Sequence, residues 1–160
     1  MPVVNLPSTA GGRVALDQLA VGRTVIYLYP LTGRADVDLP VGWDAIPGAR
    51  GCTAEACDIR DHHADLLAAG AGAVYGLSTQ TSDYQAELVA RLRLPFAILS
   101  DPGRELAAAL DVPTFDADGA TLYRRQTLVV RDAVIEHVFY PVFPPDQHAT
   151  EVLTWFQETG

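Results

Sequence analysis

Apolar positions along the chain fall into short runs and helical stripes separated by turn residues. Thr24-Val25-Ile26-Tyr27-Leu28-Tyr29 is β-branched, aromatic and apolar almost throughout, and Pro30 ends it. That pattern predicts a strand buried on both faces. Ala73-Val74-Tyr75-Gly76-Leu77-Ser78 predicts a second, and Phe96-Ala97-Ile98-Leu99-Ser100 a third, opened by Pro95. Between them the period changes. Ala56, Ile59, His63, Leu66 and Leu67 share one face of a helix over 53–69, which Gly70 and Gly72 stop. Tyr84, Leu88 and Leu92 predict a helix over 82–92, and a short one follows over 105–110.

Residues 111–123 are polar and turn-rich and predict a loop. Residues 125–130 and 134–140 read as strands joined by Asp132-Ala133. A connection so short allows only an antiparallel hairpin. Pro141, Pro144 and Pro145 mark a stiff loop, and Val152, Leu153 and Phe156 face inward from a closing helix over 149–158. At the other end, 3–23 reads as loop, turn and a short strand or hairpin. The stretch 31–51 is a long loop carrying Gly33, Pro40, Gly42, Pro47, Gly48 and Gly51, pinned to the body by Trp43 and Ile46. Unstructured loops of that length are often functional. Strand–helix–strand units place strands parallel with right-handed crossovers, and the late hairpin adds antiparallel ones. The expectation is an α/β fold with a mixed central sheet and helices on both faces.

A chain of 160 residues, 49% hydrophobic and 19% charged, predicts one globular domain over 1–160 with a sizeable core. Net charge −9 offers no basic face for nucleic acid or an anionic membrane. The amino-terminal residues lack the basic and apolar regions of a signal peptide, and no run is long enough to span a bilayer. A soluble cytoplasmic protein is expected. There its two cysteines would be reduced, and a disulfide between them would be transient and functional.

Those cysteines, Cys52 and Cys57, lie five positions apart where the Pro/Gly-rich loop meets the first helix. Cys52 falls in the first helical turn, where free N–H groups and the helix dipole favour an anion. A thiol there is expected to have a lowered pKa and to be more nucleophilic. Arg50 and Arg60 could add positive charge. The alternative for either cysteine is a small buried hydrophobe. Adjacent His62 and His63 point to different sides of a helix and cannot join both thiols at one metal, so no metal or cofactor is expected.

Gly51-Cys52-Thr53-Ala54-Glu55-Ala56-Cys57-Asp58-Ile59-Arg60-Asp61 resembles the active-site helix of peroxiredoxins of the bacterioferritin comigratory protein / peroxiredoxin Q branch, G-C-T-x-E-A-C-x-x-R-D. Val74-Tyr75-Gly76-Leu77-Ser78 is similar to that family's V-x-G-x-S strand. Residues 94–101, Leu-Pro-Phe-Ala-Ile-Leu-Ser-Asp, are similar to its L-P-F-x-L-L-S-D segment, and Arg125-Gln126-Thr127-Leu128 to R-x-[ST]-F. The resemblance implies a thioredoxin-like fold and a thiol-dependent peroxidase acting on hydrogen peroxide and organic hydroperoxides. It implies Cys52 as the attacking thiol, oxidised to a sulfenic acid, and Cys57 as the thiol that resolves it to an intramolecular disulfide. A thioredoxin-like dithiol would be the reductant. Arg125 would activate the thiolate and orient the peroxide, with Arg124 on the opposite face by strand alternation. Arg60 would help hold the site. A monomer or homodimer fits equally.

An intact helix separates the two thiols, because five residues rise about 7.5 Å and turn about 140°. A disulfide needs Cα atoms within about 7 Å, so residues 50–60 are expected to unwind on oxidation. The chain also departs from the family. Ala49 stands where the family has a hydroxyl three residues before the cysteine, Ala45 stands at its proline, and the loop is longer. Thr32, in Tyr29-Pro30-Leu31-Thr32, is the candidate to replace that hydroxyl, the other reading being a turn threonine. Thr53 reads as a helix cap. Two further functions remain open: a non-catalytic redox sensor, which the missing hydroxyl keeps alive, and a thiol–disulfide oxidoreductase, which the C-x4-C spacing disfavours.

Overall fold

The computed structural model describes every residue except Ala35. Three strands carry the centre: β3, Arg23–Leu28, β4, Ala71–Ser78, and β5, Ala97–Ser100. Two more, β8, Gln126–Arg131, and β9, Val134–Phe139, complete a five-stranded sheet in the order β5-β4-β3-β8-β9. The β3–β4 and β4–β5 pairs are parallel, and β8 joins both β3 and β9 antiparallel. The sheet is mixed, with helices on both faces.

Burial follows the period of two along a strand. Val25 and Tyr27 of β3 enter one core with Val74, Ile98 and Val129, while Ile26 and Leu28 enter a second with Leu77, Leu99 and Leu128. The strand order advances in one direction from β3 to β5, so right-handed crossovers put their helices on the same face. These are α1, Cys52–Asp61, α2, His63–Ala68, and α3, Ser82–Leu92. The closing helix α5, His148–Thr159, joins them through Val152 and Phe156. Helix α4, Glu105–Leu110, and an amino-terminal ribbon of β1, Asn5–Pro7, and β2, Arg13–Ala15, cover the other face through Leu106, Leu6 and Leu16. Among the described residues no helix is long and apolar enough to cross a membrane.

Two expectations need correction. The helix over 53–69 is two helices, broken at His62 (φ −105°, ψ 7°). The backbone N–H of His62 donates to the Asp58 carbonyl, and its ring Nδ1 lies 2.8 Å from the same oxygen. The stretch 111–123 is a hairpin, β6, Thr114–Ala117, and β7, Ala120–Tyr123. Its turn is Asp118-Gly119, both at positive φ, the Asp-Gly signal of a tight hairpin.

That hairpin is what the long loop packs on. Trp43, in a 3₁₀ turn over Trp43–Ala45, is buried with Ala49 against Ala117 and Leu122 and lies 6.0 Å from the Phe115 ring. The loop therefore reaches α1 along a fixed path.

Candidate active site

Helix α1 begins at Cys52, and Gly51 is its N-cap at φ 104°, a conformation glycine adopts without strain. A Cβ on Gly51 would lie 2.5 Å from Pro145 Cγ, so the loop before α5 packs directly on the start of α1. The expected cap, Thr53, sits inside the helix instead, and no side chain caps this N-terminus. The first N–H groups stay available near the thiol.

Arg125, immediately before β8, is 4% exposed, and Cys52 likewise 4%. The guanidinium Nη2 donates to Cys52 Sγ at 3.1 Å and to the carbonyls of Arg50 (3.1 Å) and Ala49 (3.2 Å). Nη1 donates to Glu55 Oε1 at 2.8 Å. One arginine thus ties the loop's last turn, the thiol and the helix together. Arg124, one residue earlier, is half-buried and lies over the Phe115 ring.

Glu55 was not singled out from the sequence as a site residue. It is fully buried, one turn beyond Cys52, and its Oε2 has no hydrogen-bond partner among the described residues. The signal was its spacing, three residues from the thiol, which puts both on one face. Burial pushes the Glu55 carboxyl up to about 7, against the pull of Arg125.

The thiol behaves differently from the sequence expectation. Burial pushes Cys52 above the ordinary thiol range; Arg125 pulls it down, the charge of Glu55 pushes it up, and the Leu31 N–H pulls it down. The helix terminus favours the anion, but in this closed arrangement the cost of desolvation wins. Arg50 and Arg60 do not sit on the sulfur. The Arg50 side chain is exposed beside Asp44, and Arg60 donates to Asp61 and to the Leu92 carbonyl.

The structure gives the Thr32 hydroxyl another partner than the thiol. Thr32 is buried, its Oγ1 donates to Gln80 Oε1 at 3.3 Å, and its carbonyl accepts from Gln80 Nε2 and Tyr84 Oη. The reason is local: Gln80, in the turn after β4, brackets Thr32 from both its N–H and its carbonyl. Thr32 still lines a cavity of about 240 Å³ over Cys52, with Leu31, Leu39, Trp43, Ala49 and Thr53. A second cavity, about 250 Å³, reaches Arg125 between Phe115, Tyr140 and Phe143.

Cys57 lies half-buried on α1, and both thiols are free. Ideal helix geometry puts their Cα atoms about 8.7 Å apart, beyond the reach of a disulfide. The site as it stands has a buried thiol, a fixed cation in contact with it, and a second thiol held away by the helix.

Comparison with known proteins finds relatives along nearly the whole chain. The Redoxin family profile matches residues 1–153. The chain is 31% identical to "Peroxiredoxin Q, chloroplastic" of Sedum lineare, over 98% of this chain and 75% of that protein. It is 30% identical to the Suaeda salsa protein of the same name, over 98% of this chain and 65% of that one. Among solved structures, peroxidoxin BcpB from Mycobacterium tuberculosis superposes with a TM-score of 0.76 at 26% identity, over 98% of this chain and 93% of that one. Xanthomonas campestris peroxiredoxin Q, at 21% identity over 98% of this chain and 90% of that one, shares the fold with a TM-score of 0.74.

Proposed function

The chain belongs to the redoxin family, among its peroxiredoxin Q-like members, and from that premise we propose how its own residues reduce peroxides. The reading has Cys52 as the peroxidatic thiol. Its thiolate attacks one oxygen of hydrogen peroxide or an organic hydroperoxide. The O–O bond breaks, the sulfur becomes a sulfenic acid, and the other oxygen leaves as hydroxide or alkoxide and takes up a proton. Arg125 holds the thiolate and meets the charge growing on the departing oxygen. Both jobs suit a donor that is always protonated and fixed before the reaction starts.

Cys57 then attacks the sulfenic sulfur. The S–S bond forms, the S–O bond breaks, and hydroxide leaves with the thiol proton as water. Two thiols of a thioredoxin-like reductant restore the pair by exchange. Because the helix keeps the cysteines apart, this step includes unwinding of α1. All side chains in this scheme come from one chain, in a single 1–160 domain, so it serves a monomer or a homodimer alike.

The observation that carries the reading is the 3.1 Å contact from Arg125 Nη2 to Cys52 Sγ at the first residue of α1. Trypsin tests it directly, since Arg50 and Arg60 bracket both cysteines in the peptide Gly51 to Arg60. One equivalent of hydrogen peroxide is added with free cysteine as competitor, followed by an alkylating quench. The expected product is that peptide with an internal disulfide and the free cysteine spared. Full alkylation of the peptide, with the competitor consumed first, would refute the proposal. A redox sensor is the second reading, favoured by the apolar Ala49 and by the raised Cys52. It would oxidise once and stop, whereas the peroxidase turns over with a dithiol.

A further inference from the structure

Beyond Cys52, polar side chains tie helix α1 to different parts of the molecule. Glu55 holds Arg125 before β8, and Arg60 holds the Leu92 carbonyl at the end of α3. The third is Asp58, whose Oδ2 accepts the backbone N–H of Ala149 at 2.8 Å. Ala149 is in the first turn of α5, where N–H groups lack helical partners. No side chain of α5 or its N-cap residue Gln147 caps that terminus. The cap comes from another helix, and its acceptor, Asp58, directly follows Cys57.

The position of this bond matters for the resolving step. Cys57 must leave its place in α1 to reach Cys52, and Asp58 must move with it. Arg60 is the last residue of the 50–60 segment that has to unwind, and its bond to the Leu92 carbonyl can serve as the pivot. Asp58 cannot, because the adjoining peptide is the one displaced. The Asp58 carboxylate has a second partner, His62 Nδ1 at 3.2 Å, but His62 is within the same chain segment and does not anchor it to the frame.

We propose that Asp58 is a positioning residue for the resolving reaction: its bond to Ala149 holds Cys57 back, so that breaking this cap is part of the barrier to forming the Cys52–Cys57 disulfide. The tether leaves the attack on peroxide alone, since neither Asp58 nor Ala149 contacts Cys52 or Arg125 through a hydrogen bond. It lengthens the life of the sulfenic acid, and it makes the amino-terminus of α5 respond to the redox state of α1. The inference rests on the proposed Cys52–Cys57 resolution.

The test separates the two chemical steps. Reduced wild type, Asp58→Ala and Asp58→Asn are mixed with hydrogen peroxide and quenched at intervals with a sulfenic acid trap and an alkylating agent. The Gly51–Arg60 peptide is then weighed. Alanine is the better helix former and by itself opposes unwinding, so asparagine, of nearly equal propensity to aspartate, is the companion. Asp58→Ala is expected to convert sulfenic acid to disulfide about five- to tenfold faster, the size of one lost helix cap. Asp58→Asn, keeping a neutral acceptor, should gain about threefold. The second-order rate of sulfenic acid formation should stay within twofold in both. In wild type, amide exchange at Ala149 should speed up in the disulfide form. Disulfide formation at the wild-type rate in both variants overturns the tether and leaves the resolution scheme standing. A parallel loss in peroxide attack also overturns it, because Asp58 would then be holding the site. Wild type that forms no disulfide at all removes the resolution scheme and the tether with it.

Discussion

Replacing Arg125 with methionine removes the only side-chain cation in hydrogen-bond contact with Cys52 among the described residues, while keeping a long apolar stem in a buried position. The size of the effect follows from the contacts. A hydrogen bond to a charged group contributes roughly 1.5–3 kcal/mol net, and one pKa unit corresponds to about 1.4 kcal/mol. Losing the 3.1 Å contact should therefore raise the Cys52 pKa by about one to two units. Glu55 loses its partner at the same time. Burial holds its carboxyl up to about 7 even with Arg125 beside it, so losing that cation raises it further, and the protonated group adds no charge against the thiolate. At neutral pH the thiolate fraction falls about 10- to 100-fold. The departing oxygen also loses its donor, for which a further factor of about 10² to 10³ is the usual scale. The rate with hydrogen peroxide should drop by about 10³ to 10⁵. Two assays separate the parts: the pH midpoint of Cys52 alkylation reads the thiolate, and stopped-flow competition with a haem peroxidase reads the peroxide reaction. Arg125→Lys keeps a charge but cannot span Cys52, Glu55 and the loop carbonyls together, and should lose about 10- to 100-fold. An alkylation midpoint unmoved in Arg125→Met, in a variant that still melts cooperatively, would show that Arg125 does not activate Cys52.

Glu55 in the fold is held at about 7, against about 4.3 for an unfolded chain. The folded state thus binds its proton more tightly. The resulting stability is fully present below about pH 4.3 and is lost as pH rises through 7. Urea midpoints of wild type and Glu55→Gln should therefore diverge between about pH 4.3 and 7 and run parallel above; parallel lines throughout would mean that Glu55 titrates normally. Thr32→Val should cost about 1 kcal/mol through the lost bond to Gln80 and leave the peroxide rate within about threefold; a loss of a hundredfold would mean that the hydroxyl turns to the thiolate during reaction. Gly51→Ala forces a Cβ against Pro145 at positive φ and should destabilise by about 1–3 kcal/mol. An unchanged melting temperature would contradict the packing of the Pro145 loop on α1.

The frame of the molecule was readable because its strands are buried on both faces, and a run such as Val25-Ile26-Tyr27-Leu28 has no other comfortable place. Strand alternation was the sequence argument for separating Arg125 from Arg124, but both lie in the link between β7 and β8, where Arg125 is buried and Arg124 half-buried. What escaped was structure made by contacts distant in sequence. The hairpin β6–β7 is polar along one side and looks like a loop until Trp43, some seventy residues earlier, covers Phe115 and Leu122. Its Asp118-Gly119 turn was the local sign that could have found it. Nothing local marks Glu55 for the site until Arg125 reaches it from just before β8, and nothing local shows that Gln80 takes the Thr32 hydroxyl.

Both contacts bear on one physical point about the site. A local view of α1 gives Cys52 a helix terminus and predicts an acidic thiol. Folding then buries that thiol beside a carboxyl, and burial pushes both upward. Only Arg125 opposes both shifts from a side chain. In the proposed scheme the reactivity of Cys52 thus depends on a residue more than seventy positions away, and the closed helix holds a thiol whose charge that arginine favours. In the same scheme, unwinding of α1 on oxidation would break the Glu55 tether along with the Asp58 one. It would therefore carry the sulfur out of its contact with Arg125, toward a resolving thiol that the intact helix cannot deliver.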